Sequence, residues 1–342
     1  VAEADGTESV EAFLRSLGAT EAQIDEVRGE RRFASLAGDL VLARGATLSA
    51  EDLADRAGVD VAEVLSVWRA LGIVVPDGRQ AMFSERDADL TAYLIRSNPI
   101  GEHGDELLRV LGTSLARVAE ASVSLYVQTV EMHMDAAADD LMAWTKDLAD
   151  VTTAALRLGD SMGDIFSHHM RDAIARQRVA QAGVSERSIY RLAVGFVDLV
   201  GFTPLSLHTS PADLIELIGS FEVRAFEVAG AHNGRIVKHI GDEVMFVALD
   251  AAAGCAIAED LVATHPGGVE PRGGLAFGDV ISRHGDYYGR VVNLASRLAD
   301  LAIPKEVLVD AATVSAAAPR QFRPAGYRQL KGFDTPIEVF SL

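Results

Sequence analysis

Residues 191–203 read RLAVGFVDLVGFT. The run from Leu192 to Val197 is apolar and β-rich, and Gly201 breaks it. This predicts a buried strand that ends in a tight turn and hands over to a helix. Asp198 then stands at the end of the strand, beside the backbone N–H groups of the turn. A carboxylate there can hold a divalent cation while the N–H groups cradle phosphate oxygens. Taken alone, the segment reads equally well as a strand-to-helix turn capped by Asp.

Downstream of this strand the chain keeps switching period. A helix over 211–232 is followed by strands RIVKHI (235–240) and EVMFVAL (243–249), joined at Gly241-Asp242 by a hairpin signal. Then come a helix over 251–264, a strand over 273–281, a Gly-Asp loop and a helix over 290–302. A strand over 306–310, a short helix over 311–317 and two closing strands, 321–330 and 336–341, complete the pattern. Strands alternating with helices and hairpins indicate an α+β domain over 190–342. Upstream the texture is helical. Segments 8–17, 20–28, 30–43, 49–58, 60–72, 84–96, 103–134 and 138–182 carry apolar residues at three- and four-residue spacing, with a break near Gly159–Gly163. The expected organisation is a helical domain over 1–163, a helical connector over 164–189 and the α+β domain over 190–342.

Two further segments of the second half carry chemistry. VKHIGDE places Asp242 at a hairpin tip, and GDYYG followed by VNLASR places Asn293 and Arg297 four residues apart on one helical face. A Gly-Asp hairpin is by itself an ordinary turn, and an Asn/Arg pair at this spacing is by itself a solvated helix face. Their joint order is more informative. Over about residues 190–342 the sequence resembles the class III nucleotidyl cyclases, specifically the adenylyl cyclases, whose core is ferredoxin-like, βαββαβ.

The resemblance implies roles for particular residues. Asp198 and Asp242 match the family's two metal aspartates, with the carbonyl of Leu199 as a further ligand. Lys238 and Asp286 match the adenine-selecting pair, Asn293 the ribose-orienting residue, and Arg297 the transition-state arginine. The turn Val200, Gly201, Phe202 and Thr203 matches the phosphate loop. QLKGF supplies Lys331 as the triphosphate lysine, although a shifted alignment puts Phe333 there. The implied reaction converts ATP to 3′,5′-cyclic AMP and pyrophosphate. It uses two divalent cations per site, Mg²⁺ or Mn²⁺, in keeping with oxygen-only ligands. The family builds each site between two chains, and this chain carries both sets of residues, so a homodimer with two equivalent sites is implied.

The residue types suit adenine. Lysine only donates and ionised aspartate only accepts, which matches adenine N1 and N6; guanine reverses both edges. The alternatives are another nucleotidyl cyclase, such as a guanylyl cyclase, or a non-catalytic regulator on a cyclase scaffold. IGDEV is also superficially similar to the GGDEF motif of diguanylate cyclases, but only one glycine precedes Asp242 and VNLASR has no place in that motif.

The 342 residues carry a formal charge of −19 and a single cysteine, Cys255. One cysteine excludes an internal disulfide and CxxC metal spacing. No apolar run is long enough to span a bilayer, and the acidic start is unlike a secretory signal, so a cytoplasmic location is expected. Residues 1–190 hold 32 acidic against 18 basic residues, a net of −14, which disfavours nucleic acid as a partner. TLSAEDLADRAGVDVAEVLSVWRALG (47–72) has helix-turn-helix grammar. Its second helix, however, opens Asp60, Val61, Ala62, Glu63, where a DNA reader needs basic or amide side chains. A helical hairpin with Trp68 in its core is the expected reading.

The helical half resembles the regulatory domain of soluble, pH-responsive actinobacterial cyclases. Histidine titrates near physiological pH. His168 and His169 in the connector, with His239 and His284 beside the proposed site, are therefore the candidate sensors of an autoinhibitory arrangement. Segment 105–130 is rich enough in Leu, Val and Ala to line a cavity for an apolar ligand such as a fatty acid, or simply to form a core.

Overall fold

The computed structural model describes residues 2–28, 32–97, 104–126, 141–180, 189–263 and 268–342. The chain separates into two units, Val1–Ser167 and His168–Leu342.

The first unit is helical: α1 Ala2–Ser16, α2 Glu21–Val27, α3 Phe33–Leu42, α4 Ala50–Ala57, α5 Val61–Ala70, α6 Glu85–Ser97, α7 Gly104–Tyr126 and α8 Leu141–Asp160. Local chemistry sets several of the boundaries. Thr20 with Gln23, and Ser49 with Asp52, form capping boxes at the starts of α2 and α4. Gly58 ends α4 in the left-handed conformation, at φ 71°. Two small cores result. Val10, Leu14, Ile24, Phe33 and Ala149 form one, and Leu48, Leu53, Val64, Trp68 and Phe83 form the other. Trp68 is buried as expected. Its ring centroid lies 4.8 Å from that of Phe83, and its indole N–H donates to Thr91 at 3.1 Å. On α5 the exposed positions include Ala62 and Glu63 in the first turn and Arg69 in the last. Leu107, Leu111, Leu115 and Val118 of α7 are 41–48% exposed, rather than lining an enclosed cavity.

The break foreseen near Gly159 is real. Helix α8 stops at Asp160, and α9 (Met162–Ala180) starts two residues later. Helix α9 contributes its first turn to one unit and its remainder to the other.

The second unit holds one eight-stranded sheet. Its strands are β1 Ile189–Leu199, β2 Arg235–Ile240, β3 Glu243–Ala248, β4 Pro271–Arg283, β5 Asp286–Tyr288, β6 Val307–Asp310, β7 Arg323–Arg328 and β8 Ile337–Ser341. The helices are α10 Phe202–Ser206, α11 Pro211–Ala231, α12 Ala251–Val262, α13 Arg290–Leu301 and α14 Ala311–Ala316. The strand order is β2-β3-β1-β4-β6-β8-β7, with β5 paired to β4. Strands β1 to β4 are antiparallel neighbours and, with α11 and α12, form the expected βαββαβ core.

Strand β1 shows why the apolar run had no alternation. Ala193, Val197 and Leu199 join α11 and α12 in a core on one face. Leu192, Val194 and Phe196 join α13 and the end of α9 on the other. Both faces are covered, so both sets of alternating residues must be apolar. Helix α13 lies close enough to β4 that a Cβ at Gly274 would stand 2.1 Å from the backbone N of Ala299. The helix buries Leu294, Ala295, Leu298 and Ala299. The 3.6-residue period then turns Asn293 outward and leaves Arg297 at the half-buried margin. One local expectation is corrected. The Gly-Asp segment after β4 is a β-hairpin rather than a loop, because His284 and Gly285 both adopt positive φ (56° and 79°) and β5 folds back on β4.

Candidate active site

Strand register builds the acidic end of the site. Asp198 lies between two neighbours, opposite Glu243 of β3 and Arg272 of β4. Asp242 sits at the β2–β3 hairpin tip beside Gly241, whose φ is 66°. The turn therefore carries Asp242 to the same sheet end as Asp198. Burial, and then the charge of Asp198, push the Asp242 carboxyl up to about 6. Glu243 is pushed up to about 7, first by burial and then by Asp198, Asp300 and Asp242.

Arg272 is the cation that sits on Asp198. Arg272 donates from Nε (3.1 Å) and Nη2 (2.9 Å) to Asp198 Oδ2, and from Nη1 to the carbonyl of Asp300 at 2.8 Å. With Arg297 on Asp300, two guanidinium groups face four carboxylates, which leaves a surplus of negative charge on oxygen donors, the environment that hard divalent cations fill. Among the described residues no group of three or more His, Cys, Asp and Glu gathers as a metal cluster. Leu199 is the last residue of β1, and its side chain is buried.

The turn after β1 narrows the phosphate-binding expectation. The N–H of Val200 donates to the Glu270 carbonyl at 3.0 Å, so Val200 is not a free donor. Gly201 adopts φ 77° and opens α10, and its N–H with those of Phe202 and Thr203 remains at the helix start. The Thr203 side chain lies outside the described residues.

Lys238 and Asp286, the residues expected to select the base, meet in one chain. A bulge between Ile236 and Lys238 re-aims β2. Lys238 Nζ then pairs directly with Asp286 Oδ2 of β5, while Asp286 Oδ1 accepts the N–H of Tyr287 at 2.8 Å. On α13, Arg297 donates to Asp300 at 2.8 Å, one turn beyond the exposed Asn293. Among the described residues, no hydrogen bond or ion pair joins Lys238, Asp286 or Arg297 to Asp198 or Asp242.

Lys331 is exposed in a turn and joins neither group. Phe333, its alternative, is buried, with the Arg290 guanidinium 5.1 Å from its ring centroid. The histidines are dispersed. His168 and His169 are exposed on α9, and His284 occupies the β4–β5 turn. His239 stacks at 5.7 Å on Phe226, with Nδ1 3.8 Å from Glu222 and Nε2 buried without a partner. Arg272, Glu243 and Asp300 escaped the sequence reading. Only the cross-strand register, and the close packing of α13 on Gly274, bring them to Asp198.

Residues 2–174 match the adenylate cyclase regulatory domain, and residues 184–341 match the adenylate and guanylate cyclase catalytic domain. An uncharacterized protein of Mycobacterium tuberculosis is 33% identical over 96% of this chain and 88% of its own length. An adenylate cyclase of Streptomyces coelicolor is 34% identical over 75% of this chain and 68% of its own. A pH-sensitive adenylate cyclase of Mycobacterium tuberculosis is 30% identical over 86% and 78%.

Proposed function

The chain belongs to the class III adenylate cyclases that carry an N-terminal adenylate cyclase regulatory domain, and from that membership we propose that it converts ATP to 3′,5′-cyclic AMP and pyrophosphate at sites shared by two copies. The observation that carries this reading is the separation of the two residue sets. Asp198 and Asp242 converge at one sheet end, whereas Lys238 and Asp286 pair elsewhere in the same chain. Each chain would then give its acidic pair to one site and its base-selecting pair to the other.

Mg²⁺ or Mn²⁺ bound there would neutralise the triphosphate and favour the ionised ribose 3′-oxygen. Asp198, Asp242 and the Leu199 carbonyl would hold the cations. The N–H groups of Gly201, Phe202 and Thr203 receive phosphate oxygens. Lys238 donates to adenine N1 and Asp286 accepts from N6, each giving up the other to do so. Asn293 orients the ribose. Arg297 stabilises the charge that gathers on the α-phosphate as the 3′-oxygen bonds to phosphorus and pyrophosphate leaves. Arg272, which sits on Asp198, would add a second guanidinium at the triphosphate end.

The helical domain regulates this activity in response to pH, with His168, His169, His239 and His284 as the titrating candidates. Support comes from the 30% identity to a relative named pH-sensitive and from the buried, unpartnered Nε2 of His239. Two assays test the function. Chromatography of products after incubation with ATP or GTP, in Mg²⁺ and in Mn²⁺, should show cyclic AMP from ATP alone. Activity–pH profiles of the full chain and of residues 186–342 should differ; superimposable profiles would remove the regulatory role.

A further inference from the structure

A cavity of about 480 Å³ lies within the second unit, between the C-terminal part of α9 and the sheet. This is within the roughly 300–1,000 Å³ of small-molecule sites. None of Asp198, Asp242, Lys238, Asp286, Asn293 or Arg297 lines it. Its charge is unlike that of the chain. The protein has 50 acidic residues against 31 Lys and Arg, yet among the described residues the cavity wall carries Arg176, Arg235 and His169 and no carboxylate. Elsewhere in this unit Arg191, Arg272, Arg297, Lys305 and Arg320 each sit on a carboxylate. Among the described residues neither Arg176 nor Arg235 has such a partner. Arg235 instead stands 5.6 Å from the centroid of the Tyr287 ring and donates to the Gly285 carbonyl at 3.3 Å. The rest of the wall is mostly apolar or aromatic, Tyr190, Leu192 and Ile174 among them, with the neutral polar side chains of Gln177, Asn233 and Ser282.

A wall with two unpaired guanidinium groups and two phenol rings is complementary to a flat ring bearing one negative charge. We propose that this cavity binds a small aromatic anion, its ring against Tyr190 and Tyr287 and its charge on Arg235 and Arg176, and that occupancy changes the affinity for nucleotide. The coupling follows from placement. Strand β2 carries both Arg235 and Lys238, and Tyr287 directly follows Asp286, so an occupant touches the two strands that hold the base-selecting pair. This second half of the proposal rests on the base assignment above.

The test uses the full chain and 8-anilinonaphthalene-1-sulfonate, an aromatic monoanion whose fluorescence reports binding. Its uncharged analogue N-phenyl-1-naphthylamine should bind about tenfold more weakly or worse. Arg176→Gln with Arg235→Gln should weaken the sulfonate by about tenfold or more. Ala173→Trp, at an exposed position of α9 on the cavity wall, should block it while leaving the folded helix intact. The probe should shift KM for ATP in the wild type and not in Ala173→Trp. Equal affinity in the wild type and both variants would overturn the site. Tight binding with an unchanged KM would overturn the coupling. A chain that makes no cyclic AMP even without probe would instead count against the base assignment, and the binding titration would still decide the site.

Discussion

A mixture of two inactive chains should regain a calculable share of activity. Asp198→Ala removes one of two converging carboxylates, and Lys238→Ala removes one member of the proposed base-selecting pair. No described interaction links the two positions, so each change leaves the other half-site as built. Within one chain the defects affect both sites of a homodimer, and each variant alone is inactive. In a heterodimer both defects fall in one site and the other site is intact. Random exchange at equal concentrations makes half of the dimers mixed, each with one working site of two, so activity should return to about one quarter of wild type. Chromatographic measurement of cyclic AMP after co-expression of the two chains, with distinct tags to confirm heterodimers, reads this directly. Activity no greater than the sum of the separate variants, in a preparation whose heterodimers are verified, would refute the shared site. So would single variants that each retain half of the activity.

Three other outcomes follow from particular contacts. Asp242 holds its proton more tightly folded than unfolded, so the wild type loses stability as pH rises from about 4 through about 6. Asp242→Asn lacks that titration. In metal-free buffer its melting temperature relative to wild type should therefore climb over this range, and a difference flat in pH would mean that neither burial nor the charge of Asp198 raises the Asp242 carboxyl. Gly274→Val drives a side chain into the backbone of α13 and should cost about 3 kcal/mol or more in urea unfolding; a loss under about 1 kcal/mol would mean that the helix moves freely. Trp68→Ala removes the ring packed on Phe83 and the bond to Thr91, and should cost the helical unit about 3–5 kcal/mol by circular dichroism. A near-neutral result would take Trp68 out of the core.

Local signals were legible wherever one short segment decides the geometry. The boundaries of α4 follow from Ser49 and Gly58, and the end of α8 from the Gly159–Gly163 stretch. The pairing of β2 with β3 follows from Gly241-Asp242. The carboxylate pair was readable because its members end a strand and tip a hairpin, both of which are local events. Arg272 was not readable, since its partner is 74 positions away and only the β1–β4 register joins them. The β4–β5 hairpin was missed because one of its two turn residues is His284, and a non-glycine residue at positive φ leaves little trace in sequence. The consumed N–H of Val200 depends on a carbonyl from a segment 70 residues on, which no turn motif encodes.

With Lys238 and Asp286 as the proposed base readers, their direct pairing would turn recognition into an exchange. With no base bound, neither group is in want of a partner, so a ligand gains by displacing the pair only if it replaces both bonds at once. A base that offers an acceptor without a donor, or the reverse, separates the two charges and leaves one of them unmatched in a partly buried setting. Selectivity for the proposed adenine ring would then lie in the closed default state of the latch. Rejection is set before any nucleotide arrives, and the measured preference between bases reports how completely each one can substitute for the protein's own salt bridge.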